Sequence, residues 1–174
     1  DAFGTAHRAH ASTVGGAEIL PAYAGLLMQR EIRNLGALME DPQKPYAAII
    51  GGAKVSDKIK VLDSLMERVD KMVIGGGMAN TFLVAQGYTV GKSLLEQDRV
   101  EDATRIMKVA EKKGVELLLP TDVLVAKEVT RGAEHKVVPV KKIPNSWSAV
   151  DIGPDSRKAF ETALADCMTV VWNG

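Results

Sequence analysis

The chain has 174 residues (18.7 kDa) with 22 Lys and Arg against 22 Asp and Glu, so its formal net charge is zero. That balance excludes a general binder of nucleic acid or of an anionic membrane, which needs excess positive charge, and leaves room only for a local anion site. The hydrophobic content of 46% can fill one core of ordinary domain size, and the single cysteine, Cys167, excludes an intramolecular disulfide and fits a reducing compartment. No apolar run approaches the ~20 residues of a membrane-spanning helix, and no secretory leader opens the chain, so a soluble, cytoplasmic, monomeric protein is expected.

The first segment, Asp1 to Gly16, is rich in small and polar residues without a period and reads as an exposed loop. From Pro21 to Glu40, Tyr23, Leu27, Ile32, Leu35 and Met39 recur at helical spacing, which predicts an amphipathic helix about 30 Å long if all 20 residues are helical. Pro42 and Pro45 break it. Tyr46–Ile50 is then a short apolar strand ending in Gly51-Gly52, followed by a helix with Ile59, Leu62, Leu65, Met66 and Val69 on one face and Ser56 as its expected N-cap. Lys71–Ile74 repeats the strand, ends in Gly75-Gly76-Gly77, and leads to a helix over Met78–Gln86 closed by Gly87.

A third helix is expected over Asp98–Lys113, with Val100, Ala103, Met107 and Ala110 inward and Gly114 as its stop, before a strand over Val115–Leu119. Two β-like runs follow, Val123–Ala126 and Lys136–Val140, then a helix from Pro154 to Ala165 and a last strand, Met168–Trp172. The alternation implies an α/β fold: a three-layer, Rossmann-like, mostly parallel sheet with helices on both faces. Ligands of such sheets bind beyond the carboxyl ends of the strands, so the glycines after Ile50 and Ile74 should share one edge with Asn173 and Gly174. The chain starts at Asp1 and stops inside an apolar strand, and is expected to be a piece of a longer protein.

Gly51-Gly52-Ala53-Lys54-Val55-Ser56-Asp57-Lys58 joins a strand to a helix N-terminus, where free N–H groups favour an anion and two lysines sharpen the preference. A tight turn with two solvated lysines explains the same residues. The P-loop fingerprint is missing, and Asn80 stands where a dinucleotide motif requires Gly or Ala, which disfavours a dehydrogenase. Gly75, Gly76 and Gly77 could leave a flat slot for a planar base, lined by Leu94 or Val150, or could simply permit close helix–sheet packing. His7 and His10 would suit a metal only if the segment were helical and a third ligand came from a distance; Arg8 is the better candidate, as a two-pronged clamp for a phosphate or carboxylate. Asp122 stands at a strand end, fit either to orient a magnesium water or a ribose or to close a turn. Trp147 and Trp172 read as core or pocket wall, and Cys167 as a small buried hydrophobe.

Four segments in order, Asp1-Ala2-Phe3-Gly4-Thr5-Ala6-His7-Arg8-Ala9-His10, Gly51 to Lys58, Gly75-Gly76-Gly77-Met78-Ala79-Asn80-Thr81-Phe82 and Val171-Trp172-Asn173-Gly174, resemble bacterial phosphoglycerate kinases end to end. The resemblance implies a two-lobed transferase of glycolysis that moves a phosphoryl group between 1,3-bisphosphoglycerate and MgADP, giving 3-phosphoglycerate and MgATP as the lobes close. It implies that residues 1–16 end the N-terminal substrate lobe, residues 17–41 form the interlobe helix, and residues 42–174 belong to the nucleotide-binding lobe. By position it makes Arg8 a ligand of the triose phosphate, Lys54 the catalytic lysine that follows the transferred group, and Lys58 a holder of the nucleotide phosphates. Gly51, Gly52, Ala53, Gly75, Gly76, Gly77, Leu94, Ala149, Val150 and Asn173 complete the ADP/ATP contacts. Ala149 replaces a family glycine, and the ribose glutamate and the magnesium aspartate are expected outside this chain, which should therefore bind nucleotide without turning over. A non-catalytic nucleotide-binding module is the alternative, and a metal hydrolase built on His7 and His10 a distant third.

Overall fold

The computed structural model describes residues 1–174, which form two compact units, Asp1–Pro42 and Gln43–Gly174. In the first, a 3₁₀ turn (Phe3–Thr5) and a single π turn (Ala11–Gly15) precede helix α1, Leu26–Glu40. The helix is one turn shorter at its start than the Pro21–Glu40 periodicity predicts, because Asp1 sets where it begins. The Asp1 carboxylate accepts the N–H groups of Leu27 and Met28 at 3.1 and 2.9 Å, satisfying donors that have no partner inside a helix.

The second unit is built on a four-stranded, wholly parallel sheet in the order β3-β2-β1-β7, comprising β1 (Tyr46–Ile50), β2 (Lys71–Ile74), β3 (Glu116–Leu118) and β7 (Thr169–Asn173). Period-2 alternation sends Tyr46, Ala48, Ile50, Met72 and Ile74 to one face, where they pack with α2 (Ile59–Met66) and α4 (Val100–Lys113). Ala103, Ile106 and Ala110 are the buried stripe of α4, and Gly114 ends it at φ 70°, the left-handed conformation glycine adopts without strain. Helix α3 (Met78–Ala85) is buried from Met78 through Leu83, and its two buried polar side chains, Asn80 and Thr81, are hydrogen-bonded to the Leu94 carbonyl and the Glu96 N–H. On the opposite face lies α5 (Pro154–Leu164), whose end is fixed by the Lys71 ammonium bonding the Ala163 carbonyl and the Asp166 carboxylate, both at 2.7 Å.

Three strands leave the parallel sheet. Asp122–Ala126 (β4), His135–Pro139 (β5) and Ser148–Ile152 (β6) form a separate antiparallel sheet in the order β5-β4-β6. Only Leu119, Pro120 and Thr121 separate β3 from β4, far fewer than the dozen or so residues a parallel crossover requires. Trp147 is buried beneath this sheet with Leu83, Val90, Val123, Val125, Val140 and Ile143, and the ammonium groups of Lys136 and Lys127 lie 4.7 and 5.5 Å from its ring. Val171 packs against the core on one face of β7, and Trp172, 75% exposed in this chain, points to the other. Cys167 is half-buried, and burial raises its thiol above the ordinary range.

Asp122, the first residue of β4, resolves in favour of a structural role. Its buried carboxylate accepts the N–H groups of Asp155 (3.1 Å) and Ser156 (2.7 Å) at the start of α5 and the Ser156 hydroxyl (2.5 Å). Burial alone would raise this carboxyl, but these bonds outweigh it and hold it below its usual range. Asp122→Ala is expected to cost about 2–3 kcal/mol, read as a lower midpoint in urea denaturation. Because the folded-state value is depressed, the contribution is complete above the unfolded value near 4 and is lost as pH falls through the folded one. The variant should therefore lose less stability on acidification than the parent.

Candidate functional site

The strand order reverses at β1, with β2 on one side and β7 on the other, the arrangement that opens a crevice beyond the carboxyl ends of a doubly wound sheet. The registers bring Ile50 level with Ile74 and with Asn173, so three chain segments emerge together. They are tied by backbone bonds: Gly51 N–H to the Asn173 carbonyl (3.0 Å), Gly75 N–H to the Ile50 carbonyl (2.8 Å) and Met78 N–H to the Gly52 carbonyl (3.0 Å). Gly76 has φ 66°, and a β-carbon there would stand 2.8 Å from both the nitrogen and the oxygen of Gly52. A β-carbon on Gly77 would stand 2.8 Å from Leu94 Cδ2 and 3.3 Å from the Ala53 carbonyl oxygen. The two glycine turns nest into each other, which explains Gly76 and Gly77 by packing alone.

Lys58 is the residue preceding α2, whose first helical residue is Ile59; its stem passes over Gly52 and its ammonium donates to Asn173 Oδ1. Lys58 thus sits where the helix dipole and an ammonium act on the same space. Ser56 does not cap α2 as its position predicts: its hydroxyl donates to Glu96 Oε1 at 2.6 Å, and its N–H to Glu96 Oε2 at 3.0 Å. Burial raises the Glu96 carboxyl, yet the bonds from Ser56 and from the Val55 N–H, with the nearby Lys54 charge, hold it below its ordinary range. Lys54 itself is exposed on the loop between buried Val55 and Ala53.

Beside the glycine turns lies a cleft of about 400 Å³ lined by Gly76, Gly77, Ala79, Pro120, Val123 and β6 residues 149–152. Gly76 and Gly77 supply backbone only, and Ala149 and Val150 face them from the second sheet, so the walls mix backbone polar groups with small apolar side chains. Of the residues singled out in the sequence, Gly76, Gly77, Ala149 and Val150 meet in this cleft, and Gly51, Gly52, Lys58 and Asn173 meet at the adjoining edge. Leu94 stands against Gly77 and remains 53% exposed.

A model of the phosphoglycerate kinase family matches residues 1–174. The chain belongs to that family. It is 56% identical to the phosphoglycerate kinase of Moorella thermoacetica over 174 residues, all of this chain and 44% of that protein. It is also 56% identical to the cytosolic phosphoglycerate kinase of Nicotiana tabacum over 175 residues, again 44% of that protein. The structure superposes on the Coxiella burnetii phosphoglycerate kinase with a TM-score of 0.84 at 42% identity, covering 87% of this chain and 39% of that one. The Pyrococcus horikoshii enzyme gives 0.82 at 28% identity over 100% of this chain and 44% of that one. The chain therefore spans less than half the length of the relatives it matches.

Phosphoglycerate kinase membership leaves the first unit to be described by itself. Arg8 is exposed and borders a hollow that Asp1, Ser12, Thr13 and Tyr23 also line. His7 and His10 are exposed beside it, Asp1 is engaged with α1, and nowhere in the chain do three or more His, Cys, Asp or Glu side chains gather as a metal would require. Sequence reading missed Glu96, whose position in a loop carries no period, and β6, although Ser148-Ala149-Val150-Asp151-Ile152 shows a faint alternation. Gly76→Ala is expected to destabilise the fold by about 2 kcal/mol or more, because it adds a β-carbon at positive φ against the Gly52 backbone. Thermal denaturation would read the loss.

Proposed function

We propose that this chain carries the nucleotide-binding part of a phosphoglycerate kinase, acting in the cytoplasm on the acyl phosphate of 1,3-bisphosphoglycerate and on MgADP to give 3-phosphoglycerate and MgATP. The observation that carries the reading is the meeting of Lys58, Asn173 and the nested glycine turns at the strand-order reversal, beside a cleft walled by Gly76, Gly77, Ala149 and Val150. The cleft takes the nucleoside between Gly76–Gly77 and Ala149–Val150. Lys58, Asn173 and the N-terminus of α2 take the phosphates, and contact at Ala149 through backbone tolerates the extra methyl. Phosphoryl transfer asks little covalent help of a protein, so neutralising and aligning charge is the task left for Lys54. The magnesium arrives with the nucleotide and is held by residues outside this chain. Residues 1–16 belong to the triose-phosphate lobe, residues 17–41 join the lobes, residues 42–174 bind nucleotide, and the whole enzyme is a monomer. The cytosolic tobacco relative supports the location.

Two lysines on one loop should fail differently. In the full-length protein, Lys54→Ala should lower kcat and kcat/KM together by about 100-fold, as loss of an interaction made in the transition state does, whereas Lys58→Ala should act mainly by raising nucleotide KM. Small, equal effects in steady-state assays would return both residues to the status of solvated turn lysines. Arg8→Lys tests the triose-phosphate assignment, since an ammonium cannot replace a bidentate guanidinium. Calorimetry should show weakened 3-phosphoglycerate binding by about ten-fold with ADP affinity unchanged; an unchanged 3-phosphoglycerate affinity would favour the non-catalytic nucleotide module.

A further inference from the structure

The loop that carries Lys54 is held from outside its own strand and helix. Glu96 lies 40 residues further along the chain from Ser56, yet it accepts both the Ser56 hydroxyl and N–H. Glu96 is in turn fixed to the start of α3. Its own N–H donates to Thr81 Oγ1 at 3.3 Å, and Asn80 Nδ2 donates to the Leu94 carbonyl at 3.0 Å. Asn80 and Thr81 are 4% and 1% exposed, so the segment from Leu94 to Glu96 hangs from a rigid, buried helix turn. The same segment presses Leu94 Cδ2 against Gly77 at the border of the cleft. One short stretch thus touches both the glycine turn beside the cleft and the lysine loop. Val55 is fully buried and the Ser56 N–H is pinned, which fixes the backbone on the carboxyl side of Lys54, while Ala53 abuts Gly77 on the other.

We propose that Glu96 is a positioning residue for phosphoryl transfer: its carboxylate clamps Ser56 through both hydroxyl and N–H so that Lys54, two residues earlier, projects from a fixed backbone, in register with the glycine turn at the cleft. The inference rests on the assignment of Lys54 made above. A charged carboxylate suits the task because it accepts two donors at once, one on each oxygen, and an amide in its place would turn an N–H toward a group that also donates.

The test is a cycle in the full-length enzyme. Glu96→Gln should lower kcat about ten-fold while nucleotide KM moves less than about two-fold, since Lys58 and the cleft are untouched. In a Lys54→Ala background the same substitution should change kcat by less than about two-fold, because the residue it positions is gone. Equal loss of kcat in both backgrounds would overturn the proposal, since Glu96 would then act independently of Lys54. Should Glu96→Gln fail to fold, Ser56→Ala removes one arm of the clamp and should lower kcat about two- to three-fold, again only when Lys54 is present. Full kcat in Lys54→Ala alone would overturn the reading of Lys54 and this inference with it, an outcome separate from the failure of Glu96.

Discussion

The structure turns on a close approach of two backbones. β1 and β2 end level with each other, so the turns that follow them compete for one volume, and a side chain on Gly76 would collide with the backbone of Gly52. Without β-carbons the turns nest, and the Met78 N–H reaches the Gly52 carbonyl at the first residue of α3. That contact directs α3 into the core, where it is buried from Met78 to Leu83 and forms the floor on which the second sheet packs through Leu83. The cleft between Gly76–Gly77 and β6 is therefore a by-product of packing that needs no room made for a ligand.

A chain of zero net charge can still present a positive site when its other charges are paired or dispersed. Arg105 with Asp63, Lys113 with Glu67 and Lys44 with Asp70 lie 2.7 to 2.8 Å apart on the surface, where each pair adds little stability. Their effect is to fasten α4 to α2 and the β1 entry to the turn before β2, while Lys54 and Lys58 remain near the end of β1. Asn173 is the neutral partner that Lys58 finds there, and a neutral amide holds an ammonium less firmly than a carboxylate would. A phosphate can displace it without first breaking an ion pair.

The antiparallel sheet has a distinct role. It joins β3 through only Leu119, Pro120 and Thr121, so it folds back over the carboxyl edge instead of extending the parallel sheet. Asp122 and Ser156 bind β4 to the start of α5 through reciprocal bonds, including the Ser156 hydroxyl with the Asp122 carbonyl at 2.8 Å. This junction holds Ala149 and Val150, on the neighbouring strand, opposite the glycines.

The sequence by itself determined the alternation of strands and helices from Tyr46 to Lys113, the glycine turns at the ends of β1 and β2, and the stop at Gly114, because those features repeat with period 2 or 3.6 or need a conformation only glycine adopts freely. Its motifs also identified the family. The tertiary structure decided what has no local period: that Asp1 starts α1, that Ser56 bonds Glu96 instead of capping α2, that Asp122 caps α5, and that Trp172 is exposed whereas Trp147 is buried. Each of these is a contact between residues far apart in the chain or a choice of sheet face, and neither a hydrogen bond across 40 positions nor the face left uncovered can be read from neighbours in sequence.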